Sequence, residues 1–393
     1  MKIPKHDTIF LFGTKVCDIE YPENDDDFFL QPPIIQYTKE WVEKGFPLDS
    51  ALAFTTEPQP GFHQTFFTDI APGFMEFNYF YKHGDYHARK IYAVPPEIRQ
   101  GAIEFASDTE REYPPIPTWE EFHHFARDAD APQENPFLEY VRTCSPFTGT
   151  LVTFRQGKDL YLAKTAMKNP DAIKDAALWG KVMYDMASFS GIRVPQNALV
   201  PIRGRGYSLI AKRFDRENGK KVHYASAFIL VEQSEGVRYG YRDIACFIRR
   251  FGNRDDLPEL WQRMAFNAIA KNTDDHLHNH GFLRKGGEWR LSPAFDIMPP
   301  VSTSDTTHSL ALNAQGVTEA SDDILSWILL EEAEFYGLSP WEAKKKIEKI
   351  REVVAYQDDI AAQYGTSVDE KEKLEQIWAS EDKGEEEITV LRM

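Results

Sequence analysis

The sequence predicts an α+β protein of two lobes, a strand-rich small lobe followed by a mainly helical large lobe, with a further β-rich subdomain in front. Three observations carry this reading. Short apolar and aromatic runs broken by Pro, Gly and Asp fill the first hundred residues, alternating β-prone runs around 150–166 and 198–214 flank a stretch of helical periodicity, and past Asp215 the apolar spacing becomes mainly helical. At 393 residues the chain is long enough for two or three domains. The composition shifts place a β-rich subdomain at 1–109, a connector at 110–136, the small lobe at 137–215 and the helical large lobe at 216–393.

In the first subdomain "TIFLFG", "DDFFLQ" and "HQTFFTDI" read as strand material, and "YTKEWVEKGFPLDSALAF" as a strand, a turn and another strand. From Glu110 to about Pro136 the chain is acidic and proline-bearing, a connector with one short helix. "TLVTFRQGKDLYLAKTA" reads as a hairpin turning at Gln156-Gly157. The next element, "DAALWGKVMYDMASFSGI", has Leu178, Val182, Met186 and Phe189 at helical spacing and stops at Gly191, as a glycine C-cap would stop it. "ALVPIRGRGYSLIAKRFDR" reads as two more strands. Late in the large lobe Ser339, Pro340 and Glu342 form a capping box, and Ile347, Ile350 and Val354 share one face of the helix that follows. The acidic tail "SEDKGEEE" reads as a frayed end.

A hydrophobic fraction of 42% with 13% aromatics is that of a globular chain. Asp and Glu outnumber Lys and Arg by 62 to 45, a formal charge of -17 that repels phosphate backbones and argues against direct, non-specific nucleic-acid binding. The sequence has no apolar run of bilayer length and no signal-like start, so no membrane association and a cytoplasmic location are expected. Cys17, Cys144 and Cys246 are scattered and odd in number, which suits reduced, mostly buried thiols rather than a disulfide framework or a zinc knuckle.

The chemistry concentrates in "NAIAKNTDDHLHNHGFLRKGGEWRLSPAFDIMPP". Alternating His276, His278 and His280 invite comparison with the His-x-His-x-Asp-His run of metallo-β-lactamase-like hydrolases, but Asn279 precedes the last histidine and the following Asp is missing. A calcium loop fits less well, since Leu277 stands where Gly is needed and Leu283 where Glu is needed. A nucleotide site asks for a general base, a metal-binding amide and a metal-binding carboxylate around a triphosphate. Asp274, Asn279 and Asp296 supply these in order, the last beyond a hairpin, and hard oxygen ligands suit Mg²⁺. Lys164, at the end of the apolar alternation "LYLAKTA", can reach phosphates from a packed strand. Taken singly, Asp274 could be a turn residue, Asp296 a helix cap and Lys164 a surface lysine; their joint order favours the nucleotide reading.

Here the sequence resembles the HipA-like serine/threonine kinases, toxins of bacterial toxin–antitoxin modules with a two-lobed protein-kinase-like fold. The resemblance runs over almost the whole chain. "FNAIAKNTDDHLHNHGFLRKGGEWRLSPAFDIMP" is similar to the catalytic segment, "SLIAKRFDR" to the hinge, "RVPQNALV" and "VHYASAFIL" to the segments around it, and "HSLALN" to a further signature. It implies that Asp274 is the catalytic base and that His276 lies near the transferred phosphate. Asn279 and Asp296 would bind Mg²⁺, Lys164 would contact the phosphates, and the hinge backbone at Lys212, Arg213 and Phe214 would hold the adenine of ATP. It also implies a protein substrate, for example an aminoacyl-tRNA synthetase or the chain itself, and a helix-turn-helix antitoxin resembling HipB, through which alone the protein would meet DNA. His278 and His280 receive no role. The chain departs from the family in two places: the phosphate loop "TCSPFTGTLVTF" keeps only Gly149, with Ser145, Thr148 and Thr150 as phosphorylation candidates, and Trp179-Gly180 replaces a usual Trp-Glu. These departures leave a pseudokinase or nucleotide-binding regulatory module as the alternative, and a metal-dependent hydrolase as a third reading.

Overall fold

Alternation of apolar and polar residues builds the first sheet. In the computed structural model, which describes residues 5–22, 32–61, 66–70, 95–110, 112–113, 115–127, 151–165, 176–203, 206–231, 238–299 and 307–365, β1 (His6–Leu11) and β2 (Thr14–Glu20) form an antiparallel hairpin. β3 (Ile34–Tyr37) adds to β2. Where "YTKEWVEKGFPLDSALAF" reads as a strand, a turn and another strand, a short helix, α1 (Lys39–Lys44), takes the place of the first strand and "ALAF" is irregular. Thr38 caps that helix by accepting the Trp41 N–H at 3.2 Å, and the Trp41 indole donates to the Phe46 carbonyl at 2.8 Å, so the run folds back on itself. β4 (Gln59–Pro60) extends the sheet. α2 (Phe67–Ile70) is a helical turn where "HQTFFTDI" suggested strand, and β5 (Ile103–Phe105) pairs with β1 to give the order β4-β3-β2-β1-β5.

The connector carries its one helix, α3 (Trp119–Arg127), started by a reciprocal Thr118–Glu121 capping pair. Phe122 of this helix stacks on Phe154, ring centroids 4.9 Å apart. The small lobe follows as expected: β6 (Leu151–Gln156) and β7 (Asp159–Thr165) turn through Gly157 at φ +61, then α4 (Ala176–Phe189) ends before Gly191 at φ +87, then come β8 (Asn197–Ile202) and β9 (Gly206–Lys212). The sheet order is β6-β7-β9-β8, all antiparallel. Leu178, Val182 and Met186 are buried, whereas Phe189, at the end of the helix, is 58% exposed.

The large lobe holds more strand than its helical spacing suggested. β10 (Arg216–Glu217) and β11 (Lys220–Lys221) pair with each other; β12 (His223–Ser226) leads into α5 (Ala227–Leu230), α6 (Tyr241–Phe251) and α7 (Leu257–Ile269). β13 (Gly281–Lys285) and β14 (Glu288–Leu291) form the expected hairpin and join β12 in a three-stranded sheet. α8 (Asp322–Glu332), α9 (Pro340–Ala355) and α10 (Gln357–Ala362) close the lobe. The Ser339–Glu342 capping box is formed in full, and Val353 rather than Val354 takes the buried position after Ile347 and Ile350. Leu260, Trp261, Met264 and Phe266 of α7 are fully buried and Pro258, Glu259 and Ile269 only partly exposed, which makes this helix the axis of the lobe.

One apolar cluster runs from Ile9 of β1 through α4 and α7 to Ala361 of α10, so the N-terminal sheet shares the large lobe's core. A second cluster lies under the small-lobe sheet and α3. The junction is polar as well: buried Asp69 of α2 accepts both the N–H and the hydroxyl of Ser226 at 2.6 Å, and Ser50 donates to the carbonyls of Ile229 and Val231. Among the described residues no helix is long and apolar enough to cross a membrane. Cys17 is buried but Cys246 is exposed, contrary to the expectation of buried thiols; "DDFFLQ", Cys144, the loop 143–149 and the acidic tail lie outside the described residues.

Burial also sets how stability follows pH. It pushes His223 and His278 down to about 3 and His280 to about 4, so each ring stays neutral in the fold but takes up a proton in the unfolded chain below about pH 6.5. Their contribution is complete above that pH and is lost as pH falls. Burial pushes Asp49 up to about 7 and Asp69 to about 6, which acts with the opposite sign over an overlapping range. His223 lies between Phe46 and Trp289, an apolar setting. Denaturation of His223→Phe between pH 6 and pH 4 should therefore show an acid slope weaker than wild type by about 1.4 kcal/mol per pH unit.

Candidate functional site

Two segments of the large lobe and one strand of the small lobe meet at the cleft. The alternation of β7 buries Ala163 and leaves Lys164 half-buried at the strand end, with Lys164 Nζ 2.5 Å from Asp296 Oδ1. Both side chains are about 40% exposed, so solvent screens the pair and its value lies in geometry more than in stability. Asp296 follows β14 with φ +54, in the left-handed region. Its main-chain N–H donates to the Tyr184 hydroxyl of α4 at 3.0 Å, while Ala294 N–H donates to the Arg193 carbonyl at 2.7 Å. Burial, with the Asp296 charge adding to it, pushes the Tyr184 hydroxyl up.

The second segment leaves α7 through Lys271, also left-handed at φ +54. Asp274 projects into solvent, 76% exposed, and its carbonyl accepts from Asn279 Nδ2 at 2.7 Å across a short 3-10 turn at Leu277–Asn279. His276 Nε2 lies 3.5 Å from Asp274 Oδ1. Partial loss of hydration at the cleft raises the Asp274 pKa from its ordinary value; His276 and Lys164 oppose this, and the Asp296 charge adds to it. His276, Lys164 and Asp296 therefore all lie near enough in one cleft for their charges to act on Asp274. Asn279 and the residues on either side of Asp296, Phe295 and Ile297, line one small cavity of about 20 Å³ behind the loop. That volume suits about one water molecule and is far too small for a nucleotide.

What holds the loop is a residue that the sequence reading passed over. Buried Asp275 accepts the Tyr241 hydroxyl at 2.6 Å and the N–H groups of Ser309 and Leu310, and His308 Nδ1 lies 3.5 Å away. Tyr241 in turn accepts from Asn267 Nδ2 at 2.8 Å, and Asn272 donates to Asn267. The "HSLALN" segment is thus stitched to the Asp274 loop through one carboxylate. His278 stacks on Phe228 of α5 with centroids 3.9 Å apart, and His280 meets Tyr241 edge-on, so both have packing contacts. Among the described residues no group of three or more His, Cys, Asp or Glu side chains could hold a metal ion.

At the hinge, Lys212 N–H donates to the Gln196 carbonyl and Arg213 N–H to the Leu160 carbonyl, so both amides are spent within the small lobe. Lys212 Nζ lies 2.6 Å from Asp159, and Phe214 packs against Phe295 at 5.6 Å and Tyr224 at 6.1 Å. Arg213 is turned away from the cleft: its guanidinium holds Asp215 at 2.6 and 2.9 Å and reaches the Ile98 and Arg99 carbonyls. Burial works against the Asp215 charge, but Arg213 and Arg216 outweigh it and hold the carboxyl below its ordinary pKa.

Gly180 also acquires a reason. A Cβ there would lie 3.1 Å from Met298 Sδ and 3.2 Å from Leu209 Cδ2, because α4 packs tightly on the segment just past Asp296. Any side chain at this position requires the ends of Met298 and Leu209 to give way by a few tenths of an ångström, and Lys164 takes Asp296 as its partner. Gly180→Glu is expected to lower stability by about 1–3 kcal/mol through overpacking, read as a fall in thermal midpoint.

A strand-rich lobe and a helical lobe meeting around a strand lysine, a loop carboxylate and a carboxylate beyond a hairpin define a kinase-like α+β protein. More particularly, the chain belongs to the HipA-like family: the family described as the HipA-like C-terminal domain matches residues 145–358, more than half of the chain. Its fold is shared with a HipA toxin–antitoxin complex of Shewanella oneidensis MR-1, solved with HipB and operator DNA. That match is 15% identical, covers 95% of each chain and has a TM-score of 0.66. The Helicobacter pylori proinflammatory kinase CtkA matches at 12% identity over 55% of this chain and 90% of its own, with a TM-score of 0.36, too low to define a shared fold. Comparison with curated proteins gives no match.

Proposed function

We propose that the protein is an ATP- and Mg²⁺-dependent serine/threonine kinase of the HipA toxin type. The observation that carries this is the Lys164–Asp296 contact across the cleft, facing the loop that presents Asp274, His276 and Asn279. Asn279 suits a metal site because its Nδ2 is committed to the Asp274 carbonyl, which leaves its amide oxygen as the ligand atom; Asp296 is half-exposed and supplies a hard oxygen donor. When bound there, Mg²⁺ would neutralise phosphate charge and fix the phosphates.

The protein groups do the rest. Asp274 accepts the proton of a substrate hydroxyl as its oxygen attacks the γ-phosphorus, and ADP leaves. Its raised pKa makes it a better base than an ordinary carboxylate, and the nearby His276 imidazole orients it. Lys164 offsets charge on the phosphates. At the hinge, Phe214 is the position whose main chain would face adenine, since the amides of Lys212 and Arg213 are engaged elsewhere.

The reading extends to a protein substrate, such as an aminoacyl-tRNA synthetase or the chain itself, and to a HipB-like antitoxin. Support for the partner is the resemblance to a fold solved together with HipB and operator DNA; the charge of -17 supports DNA contact only through such a partner. The division at 109, 136 and 215 and a cytoplasmic location belong to the same proposal. A nucleotide-binding module without turnover is the second reading, favoured by Gly180 in place of an acidic residue. Incubation with Mg·ATP separates the two: phosphate appearing on the protein itself or on lysate proteins supports the kinase, and thermal stabilisation by nucleotide without any transfer supports the module.

A further inference from the structure

We propose that Tyr184 is a positioning residue for the Asp296 carboxylate, acting through the main chain of the turn that carries it. This rests on the kinase reading above, which gives Asp296 its role. Among the described residues only Phe12, Asn218, Lys271 and Asp296 are non-glycine residues at positive φ. A side-chain-bearing residue in that region relaxes to negative φ unless its surroundings hold it. At Asp296 the hold is visible: the Tyr184 hydroxyl accepts its N–H at 3.0 Å.

Tyr184 can act as a fixed point because it is only 5% exposed and its ring sits with Leu209 and Ala177 in the seam between α4 and the small-lobe sheet. Gly180, one helical turn earlier, lets Met298 approach to van der Waals contact. The same helix therefore grips the turn on both sides of buried Ile297, by a hydrogen bond before it and by packing after it. If the bond is removed, the peptide plane ahead of Asp296 is free to rotate, which carries the carboxylate away from Lys164. The residue touches neither phosphate nor metal.

The test is Tyr184→Phe in the full chain, which keeps the ring packing, with Tyr207→Phe as a control in the same cluster, since the Tyr207 hydroxyl donates to the Tyr364 carbonyl and, among the described residues, makes no bond to the Asp296 turn. Two quantities are read: hydrogen exchange of the Asp296 amide without ligand, and ADP binding titrated against Mg²⁺. Tyr184→Phe should speed exchange at Asp296 about tenfold and raise the Mg²⁺ needed for half-maximal ADP binding about tenfold, a change in thermal midpoint alone being the mark of a purely structural role. Tyr207→Phe should change neither. Unaltered exchange and Mg²⁺ dependence in Tyr184→Phe would overturn the inference and leave the kinase reading standing. Wild-type protein whose ADP binding ignores Mg²⁺ would overturn both.

Discussion

Asp274→Ala and Asp296→Asn are each expected to reduce phosphate transfer by roughly 10²-fold or more while leaving the protein folded. A positioned general base contributes about 10²–10⁴-fold, and loss of a metal-binding carboxylate removes charge stabilisation of similar size. Neither side chain carries much of the fold: Asp274 is 76% exposed and Asp296 is 41% exposed, with Lys164 as its side-chain partner. Stability changes should therefore stay within about 0.5 kcal/mol, as for other exposed sites. Radiolabelled transfer from Mg·ATP, measured beside thermal midpoints, checks both halves. Transfer that survives either substitution would sink the proposed function.

The neighbouring carboxylate should behave in the opposite way. Asp275→Ala is expected to cost about 3–5 kcal/mol of stability, because it strips the acceptor from the buried Tyr241 hydroxyl and from the Ser309 and Leu310 amides at once. Urea denaturation at pH 7 measures this directly. Asp275→Asn, which keeps an acceptor oxygen, should cost less, about 1–3 kcal/mol. Equal stability for Asp274→Ala and Asp275→Ala would show that the network around Tyr241 does not hold the loop.

Asp274 and Asp275 are the same residue type side by side, and their difference could not be read from the sequence. It arises from Tyr241, 34 residues away, and from the Ser309 segment on the other side. Features set by local rules were legible: the 151–165 hairpin with its glycine turn, α4 with its glycine stop, and the α9 capping box. The gathering of Lys164, Asp274 and Asp296 at one cleft fits the order in which the sequence sets them, and their role there is the one proposed. Features set by distant partners were not legible. α2 lies where strand was expected, its Asp69 held by Ser226, 157 residues on. Glycine at 180 reads in the sequence only as an absent charge, whereas in the fold it also makes room for Met298, far along the chain. α1 was missed for a nearer reason, since its Thr38 cap and Trp41 anchor compete with a β-like composition over only six residues.

The shared core of the N-terminal sheet and the large lobe has a consequence for how the protein comes into being. Ile9 and Ala361 belong to one cluster, so the β1–β2 hairpin and helices about 350 residues further on must come together before that core is complete. Local pieces such as the 151–165 hairpin can form early, but the surface on which α7 and the Asp274 loop rest is closed only once segments about 350 residues apart have met. The cleft is therefore finished late in folding, after its local pieces, and a change that loosens the N-terminal sheet should be felt at the cleft as well.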